Sequence, residues 1–498
     1  MSRRVIVFVL SAAPVFSQQG GEIIGESALS AGTAGASVGA GQSVVDSSSN
    51  PATLLSVFEN SRTKGLKSRL DGMLRGVHYN TAVTTNAGEE LDINLPIGIG
   101  PWFGYAERIN DDWAWGLNIQ PTVAGDFETT RNTTLNLVTV DPFDPTSPLA
   151  ESRVYQKSKL LQLGLEPNLS VRLNESWTFG FGASIRHTTL GLSSATEVDF
   201  DTLQGDFVLG VGTWGDFFKS AGGEFFQATF DADASSSLPN VFLKLGANYE
   251  TPAGGRIGMW LRPPSTPTDI EGKIDVDMRD DLGTFINVLE EELETSLLQG
   301  ELLSSYDFSV DGVQFPAQIG LSYSSPLDQV TRWHSKAVFT QWSESMSGWT
   351  AKLSNPNNSE FTDYVGGDGS IEIDLGMQWS DSLSISWGFE HDFSFDITQP
   401  GDAAQKINDF TFRGGVGWSS NPVGGAALPG LTPYNQLHLA LGFSSWSNQI
   451  EPLDWHMALV MTAPEKWTAG ENVLLSDQSY DQLSQYAYSF MVGASYSF

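Results

Sequence analysis

Four cations are notable for where they fall in the chain. Arg186, Lys244, Arg262 and Arg413 lie on stretches where large apolar residues alternate with Gly, Ser and Thr, and the alternation puts each cation on the small, polar side. A guanidinium or ammonium held on the inner side of a wall is suited to receiving a carboxylate. Bond-breaking chemistry has much less support. The six histidines, His78, His187, His334, His391, His438 and His456, include none in a Gly-x-Ser-x-Gly or His-Glu-x-x-His context. Cysteine is absent, which removes disulfides, zinc-thiolate sites and thiol catalysis together and suits export through an oxidising compartment. The expectation is a protein that binds and passes a molecule, with no catalytic residue, no metal and no cofactor. A net charge of -33 argues against nucleic acid, because phosphate binding needs basic surface, and its simplest role is to solvate exposed loops.

The elements that position these cations are strands. The final stretch, Tyr486 to Phe498, separates into Tyr486, Tyr488, Phe490, Val492, Ala494, Tyr496 and Phe498 on one face and Ala487, Ser489, Met491, Gly493, Ser495 and Ser497 on the other. A soluble sandwich would carry Lys, Glu or Thr on its outer face, whereas here a small-residue face is backed by an apolar row with aromatics at both ends. That pattern suits a lipid bilayer. A strand in lipid must have every backbone group paired, so it exists only as one stave of a closed barrel. No apolar run of about 18 residues occurs anywhere, so no helix is expected to span a membrane.

Other staves follow the same rule. Ile99, Pro101, Phe103 and Tyr105 oppose Gly98, Gly100, Trp102 and Gly104; Trp177, Phe179, Phe181 and Ile185 oppose Thr178, Gly180, Gly182, Ser184 and Arg186. Short breaks at Asn110-Asp111-Asp112, Asn174-Glu175-Ser176, Pro252 to Gly255 and Ser325 to Asp328 alternate with long connections, as in a barrel with brief periplasmic turns and extended external loops. The count is fourteen strands when Ile371 to Phe395 is read as one strand, and fifteen when it is read as two. The expected fold is an all-β transmembrane antiparallel barrel occupying residues 61-498.

Two segments precede the barrel. Arg3 and Arg4, the apolar run Val5 to Leu10 and the small residues Ser11 to Ser17 have the three regions of a signal peptide, residues 1-17, with cleavage expected before Gln18. Residues 18-60 are rich in Gly, Ala and Ser without alternation, too polar for lipid and too short for a core of their own. They read as a disordered arm or as a plug inside something larger. Near the end of this segment stands Asn50-Pro51-Ala52, a turn initiator. Two long loops are unusually apolar for external connections. Residues 196-237 carry Phe217, Phe218, Phe225 and Phe226, and residues 280-303 space Phe285, Ile286, Leu289 and Leu293 as one face of a helix.

With these features in view, the sequence resembles the FadL family of outer-membrane transporters for long-chain fatty acids and related hydrophobic compounds. The matching features are the plug-like segment ending in Asn50-Pro51-Ala52, the phrase Phe410-Thr411-Phe412-Arg413-Gly414-Gly415-Val416 followed by Ser420-Asn421-Pro422-Val423, the apolar third and fourth external loops, and the terminal aromatic strand. The resemblance implies fourteen strands around an N-terminal hatch, in the outer membrane of a Gram-negative bacterium, acting as a monomer in contact with outer-membrane lipid. It further implies capture of substrate in a groove between the loops, here Phe217, Phe218, Phe225, Phe226, Phe285 and Leu289, a basic contact near Arg186, and sideways exit beside a kink in the third strand. Pro121 interrupts that strand and removes a ladder donor, so the exit is expected there.

The physics favours such a route for a greasy cargo. A hydrocarbon tail gains about 0.8 kcal/mol per buried methylene, so it needs a dry path of apolar contacts. Both a fatty acid and an uncharged aromatic or alkane hydrocarbon fit this description. The readings from other classes are a general porin, which needs an open lumen, a barrel enzyme, which needs a Ser-His or Asp-His constellation in the wall, and a purely structural or adhesive barrel.

Overall fold

The structure is a computed structural model describing residues 18–19, 22–59, 65–85, 90–94, 98–135, 150–199, 216, 219, 225–277, 303–345, 349–358, 368, 370–374, 379–396, 407–422, 426–427, 437–447, 453–467, 471–472 and 475–498. Alternation of large apolar with small residues produces a wall of fourteen antiparallel strands among these residues. The first five are β1 (Ser68–Thr85), β2 (Gly98–Arg108), β3 (Trp113–Leu135), β4 (Ala150–Arg172) and β5 (Trp177–Asp199). Next come β6 (Asn240–Glu250), β7 (Arg256–Arg262), β8 (Gln318–Pro326), β9 (Thr331–Thr340) and β10 (Ser382–Asp396). The last four are β11 (Ile407–Ser419), β12 (Leu437–Ser447), β13 (Leu453–Thr462) and β14 (Leu475–Ser497). β14 pairs with β1 from Tyr480–Thr85 to Ser497–Arg69, so the sheet closes on itself and leaves no free edge. Ser68 and Phe498 exchange backbone hydrogen bonds at the rim, which puts the start of β1 and the end of β14 on the same side.

The outer face carries an apolar band, with Leu74, Phe103, Phe181, Leu321, Leu441 and Phe490 all exposed. Aromatic pairs such as Trp177–Tyr249, Tyr323–Trp333 and Tyr496–Phe498 ring the short-turn rim. A band exposed in water would be costly; in lipid it is the favoured surface.

Five wall positions continue above this band as a second tier. Phe225–Ser236 pairs with the upper half of β5 and with Thr268–Asp277, followed in turn by Leu303–Val313, Thr350–Ser354 and Ile371–Asp374. In this tier the pattern changes: Asp231, Asp233, Glu271, Asp275 and Asp307 face outward while Ile274, Tyr306, Phe308, Val310 and Leu353 are buried within. Two expectations are adjusted accordingly. Ile371–Asp374 is separate from β10 yet belongs to the upper tier, so the wall still has fourteen strands. Residues 196–199 and 225–236 are strand, not loop, because they pair as a hairpin from Asp199–Phe225 to Thr189–Ser235.

Residues 24–58 fill the barrel as a chain of single turns: a four-residue helix, Ala28–Ala31, capped by Ser27 and Ser30, and four 3-10 turns ending at Leu55–Phe58. They are nearly all buried, and Ile24, Ala28, Ala31, Ala34 and Val45 share one core with wall residues Met73, Val77, Trp102 and Met491. Glycines on the inner wall allow this contact to be made by backbone. A Cβ on Gly180 would lie 2.1 Å from the Ala52 nitrogen, and one on Gly246 2.1 Å from Asn50 Oδ1. Replacing Gly180 or Gly246 with Val is therefore expected to unseat the hatch and raise ion conductance in planar bilayers, with the barrel still heat-modifiable. Gly72→Ala, whose Cβ would meet only Phe103 at 3.8 Å, is expected to leave conductance unchanged.

Candidate functional site

Asn50-Pro51-Ala52 holds the hatch in register with the wall. Asn50 is extended, as a residue before proline prefers, and its Oδ1 accepts from the Ala52 nitrogen at 3.1 Å to start the turn Pro51–Thr53. Pro51 occupies the first turn, where no N–H is required. Asn50 Nδ2 donates to Asn248 Oδ1 at 3.0 Å and Ser170 Oγ donates to the Ala52 carbonyl at 3.2 Å, tying the motif to β6 and β4. The Pro51–Ala52 backbone lies directly against Gly180, where a Cβ on the glycine would collide with it.

Charged wall residues fix the rest of the hatch. Arg75 donates to the carbonyls of Ile24 and Gly25, both at 3.0 Å, and Asp71 accepts from Ser43 Oγ at 2.6 Å and the Val44 nitrogen at 2.7 Å. Asn118 reaches Ser47 and Ser48, and Gln42 donates to Glu390 Oε2 at 2.7 Å. At the short-turn rim Glu59 pairs with both Arg172 and Arg256.

Above the hatch a cavity with about 50 Å³ open to the centre of a water molecule is lined by Glu26, Ser49, Gln120, Arg186, Trp260, Arg262 and Lys336, among others. This volume holds roughly three to five waters. The inward placement of the four cations holds: Arg186, Lys244 and Arg413 are buried, and Arg262 lines the cavity. Sequence reasoning missed the group that organises Arg186 and Lys244. Glu166, fully buried on β4, accepts from Arg186 Nη2 at 3.0 Å, Lys244 Nζ at 2.7 Å, Ser184 Oγ at 2.6 Å and Gln120 Nε2 at 3.3 Å. Lys244 also donates to the Ser48 carbonyl of the hatch at 2.7 Å. A glutamate on an alternating strand carries no signal of this role until the register is known.

Gln120 leads to the wall seam between β2 and β3. Their pairing runs from Arg108–Ala114 to Phe103–Ile119 and stops, although β2 continues to Gly98 against β1. Extending that register sets Pro101 opposite Pro121, two residues without N–H, at the point where the ladder ends. On the other edge, the β3–β4 register shifts between Pro121 and Val123, a bulge that leaves Thr122 unmatched. The irregularity expected at Pro121 is present, and Pro101 doubles it.

The other anticipated site residues are less connected. Phe217, Phe218, Phe285 and Leu289 lie outside the described residues, while Phe225 and Phe226 are in the upper-tier strand. Histidines in the wall pair with cross-strand hydroxyls: Ser324–His334 at 2.8 Å, Thr331–His391 at 2.8 Å and Ser444–His456 at 3.0 Å. Recurrence of one pairing at three places in the ladder marks it as wall structure.

No protein-family model matches the chain, and no curated protein sequence matches it. Many solved structures share its fold, among them the following three. The toluene transporter TbuX of Ralstonia pickettii is 16% identical with a TM-score of 0.59, covering 95% of this chain and 99% of that one. The toluene transporter TodX of Pseudomonas putida is 15% identical with a TM-score of 0.59 over 95% and 99%. A Pseudomonas aeruginosa FadL homologue is 14% identical with a TM-score of 0.61 over 98% and 100%. At this identity the likeness establishes the architecture, a barrel with its lumen filled by an N-terminal segment.

One hatch group should make its seating depend on pH. Burial pushes the Asp46 carboxyl up to about 7; hydroxyls of Ser30 and Ser27 oppose the shift, and Glu26 and Asp71 add to it. A raised value means the seated hatch favours the neutral acid. The contribution is full below the ordinary value of 3.8 and lost as pH rises through about 7. Corrected for the intrinsic rise of amide exchange with pH, hydrogen-exchange protection across residues 28–48 is expected to fall between about pH 4 and 7 in the native chain, and to stay flat in Asp46→Asn.

Proposed function

We propose that this chain is a FadL-type transporter of the Gram-negative outer membrane that takes up hydrophobic compounds, long-chain fatty acids or hydrocarbons, and releases them sideways into the bilayer. The observation that carries this reading is the seam at Pro101 and Pro121, an unpaired stretch of wall beside a chamber whose floor is fixed. The apolar outer band and aromatic rim support residence in a membrane. The filled lumen counts against a general porin, and the recurrent Ser–His ladder pairs count against a hydrolase.

The hatch is held by so many polar contacts that moving it would leave buried carbonyls and charges unsatisfied at about 1–3 kcal/mol each. Opening a seam that already lacks ladder bonds costs less. A tail entering the chamber would trade ordered water for apolar contact and pass from there into lipid, never meeting the aqueous periplasm.

Two cargo classes remain in contention, each with an observation in its favour. Arg186, Arg262 and Lys336 around the chamber favour a carboxylate head. Glu166, already engaged with Arg186 and Lys244, favours an uncharged hydrocarbon, because an incoming acid would have to compete with it. Substrate capture by Phe217, Phe218, Phe225, Phe226, Phe285 and Leu289 belongs to the same proposal.

The test uses cells expressing the native chain or the double variant Pro101→Val/Pro121→Val, checked for folding by heat-modifiability and for location by outer-membrane fractionation. Restoring two donors should let the ladder close and slow uptake of a labelled fatty acid and of labelled toluene. Uptake at the native rate by the inserted variant would place the exit elsewhere. Comparing the two cargoes in the native chain separates the acid from the hydrocarbon.

A further inference from the structure

The wall contains a second interruption, away from the β2–β3 seam. Pairing of β6 with β7 runs from Glu250–Arg256 to Leu245–Leu261 and ends there. It resumes where Val241 and Thr266 bond, the Thr266 nitrogen to the Val241 carbonyl at 2.9 Å and the Val241 nitrogen to Thr266 Oγ1 at 2.9 Å. Between these points Phe242, Leu243 and Lys244 face Arg262, Pro263, Pro264 and Ser265, three residues against four, without a registered pair. The next seam repeats the defect. Extending the β7–β8 register beyond Arg262–Gln318 sets Pro264 opposite Pro316. Three prolines on two neighbouring strands thus deny the ladder its donors at one level.

What lies on each side of this gap gives it direction. Outside are the exposed apolar side chains Leu243, Leu245, Met259, Leu261 and Ile319, the upper edge of the lipid-facing band, and immediately above them the outward face turns acidic. Inside is Phe242, fully buried, with the Arg186 guanidinium 4.4 Å and the Arg262 guanidinium 5.3 Å from its ring centre. Arg186 and Arg262 line the chamber above the hatch, as do Trp260 on this side and Gln120 on the other. One chamber therefore touches both wall defects, with Phe242 standing between it and the second.

We propose that the β6–β7 break is a second lateral portal, through which an uncharged apolar molecule dissolved in the outer leaflet enters the chamber, with Phe242 as its inner gate. This rests on the uptake reading for its purpose, but not for its test. Cation–π contacts of about 0.5–2 kcal/mol on each arginine, with packing on Phe315 at 6.1 Å between ring centres, hold the ring closed by side chains alone, without a backbone ladder. The rotation of one side chain opens the way, and the arginines then remain on Glu166 and the chamber wall.

The experiment reads access rather than transport. The chain has no native cysteine, so Leu243→Cys/Pro263→Cys can be bridged across the gap by a cleavable methanethiosulfonate cross-linker. Protein reconstituted in phosphatidylcholine vesicles is photolabelled with a membrane-dissolved trifluoromethyl-phenyldiazirine, and labelled residues are found by mass spectrometry. Label on Leu245, which faces lipid, is the internal reference. Expected is label on Phe242 and Trp260 before bridging, its loss with the bridge in place, and its return after thiol release. Phe242→Ala should increase label on Trp260, a second measurement that does not depend on the cysteine pair. Label on Trp260 that persists through bridging, or that never appears while Leu245 is labelled, would overturn the portal. Should the labelling follow expectation while cells expressing the native chain take up labelled toluene and labelled fatty acid no faster than cells lacking it, the portal stands and the transport reading fails.

Discussion

A bilayer offers no hydrogen bonds to a backbone, so a wall that crosses one must pair every N–H and C=O within itself. This constraint forces the sheet to close at β1–β14 and sets the inner face free to be small and polar. It also makes each missing ladder pair conspicuous. A soluble barrel can lose pairs to water at little cost, whereas this one, among the described residues, breaks its β2–β3 and β6–β7 ladders where prolines stand, which have no donor to leave unsatisfied. Proline is thus the residue by which a lipid-embedded wall can hold a gap without burying an orphaned amide.

The hatch meets the same constraint in another way. Its short turns leave many carbonyls without helical partners, and the wall supplies them with Arg75, Lys244, Arg256, Asn118 and Ser170. Glycines such as Gly180, Gly246 and Gly415 let backbone meet backbone where any side chain would collide. The result is a floor that is part of the barrel. Above it, Glu166 joins the seam strand and two cations at one carboxylate, and Lys244 carries the link on to the Ser48 carbonyl of the hatch.

Much of this was legible in the chain itself. The alternation around Trp177–Arg186 and Tyr486–Phe498 gave strand faces correctly, the short breaks fell where the turns are, and Asn50-Pro51-Ala52 marks the anchored end of the hatch. Pro121 was visible as an irregularity, but Pro101 was not, since its importance appears only when the register places the two prolines face to face. The upper tier was read in part as loop. Its strands bury Ile274 and Tyr306 and expose Asp233 and Asp275, a pattern that in isolation belongs to a soluble sheet and hides its continuity with the lipid-facing wall. Glu166 carries no signal for a related reason: a lone acid has no spacing signature, and its partners come from β3, β5 and β6.

The glycine-lined seat also constrains how the molecule can be assembled. Residues 24–58 leave the ribosome before any stave of the wall, yet they are held by strands from β1 to β14, and the wall's own closure joins Lys67 and Ser68 to Phe498 across nearly the whole described chain. Loops of that length close slowly, and their contacts bring no reward until both ends have arrived. A sheet that sealed first would enclose a lumen too narrow to thread a polar chain already lined up with six or more staves. The N-terminal segment must therefore be gathered while the cylinder is still an open, curling sheet, and the meeting of first and last strands is the step that traps it.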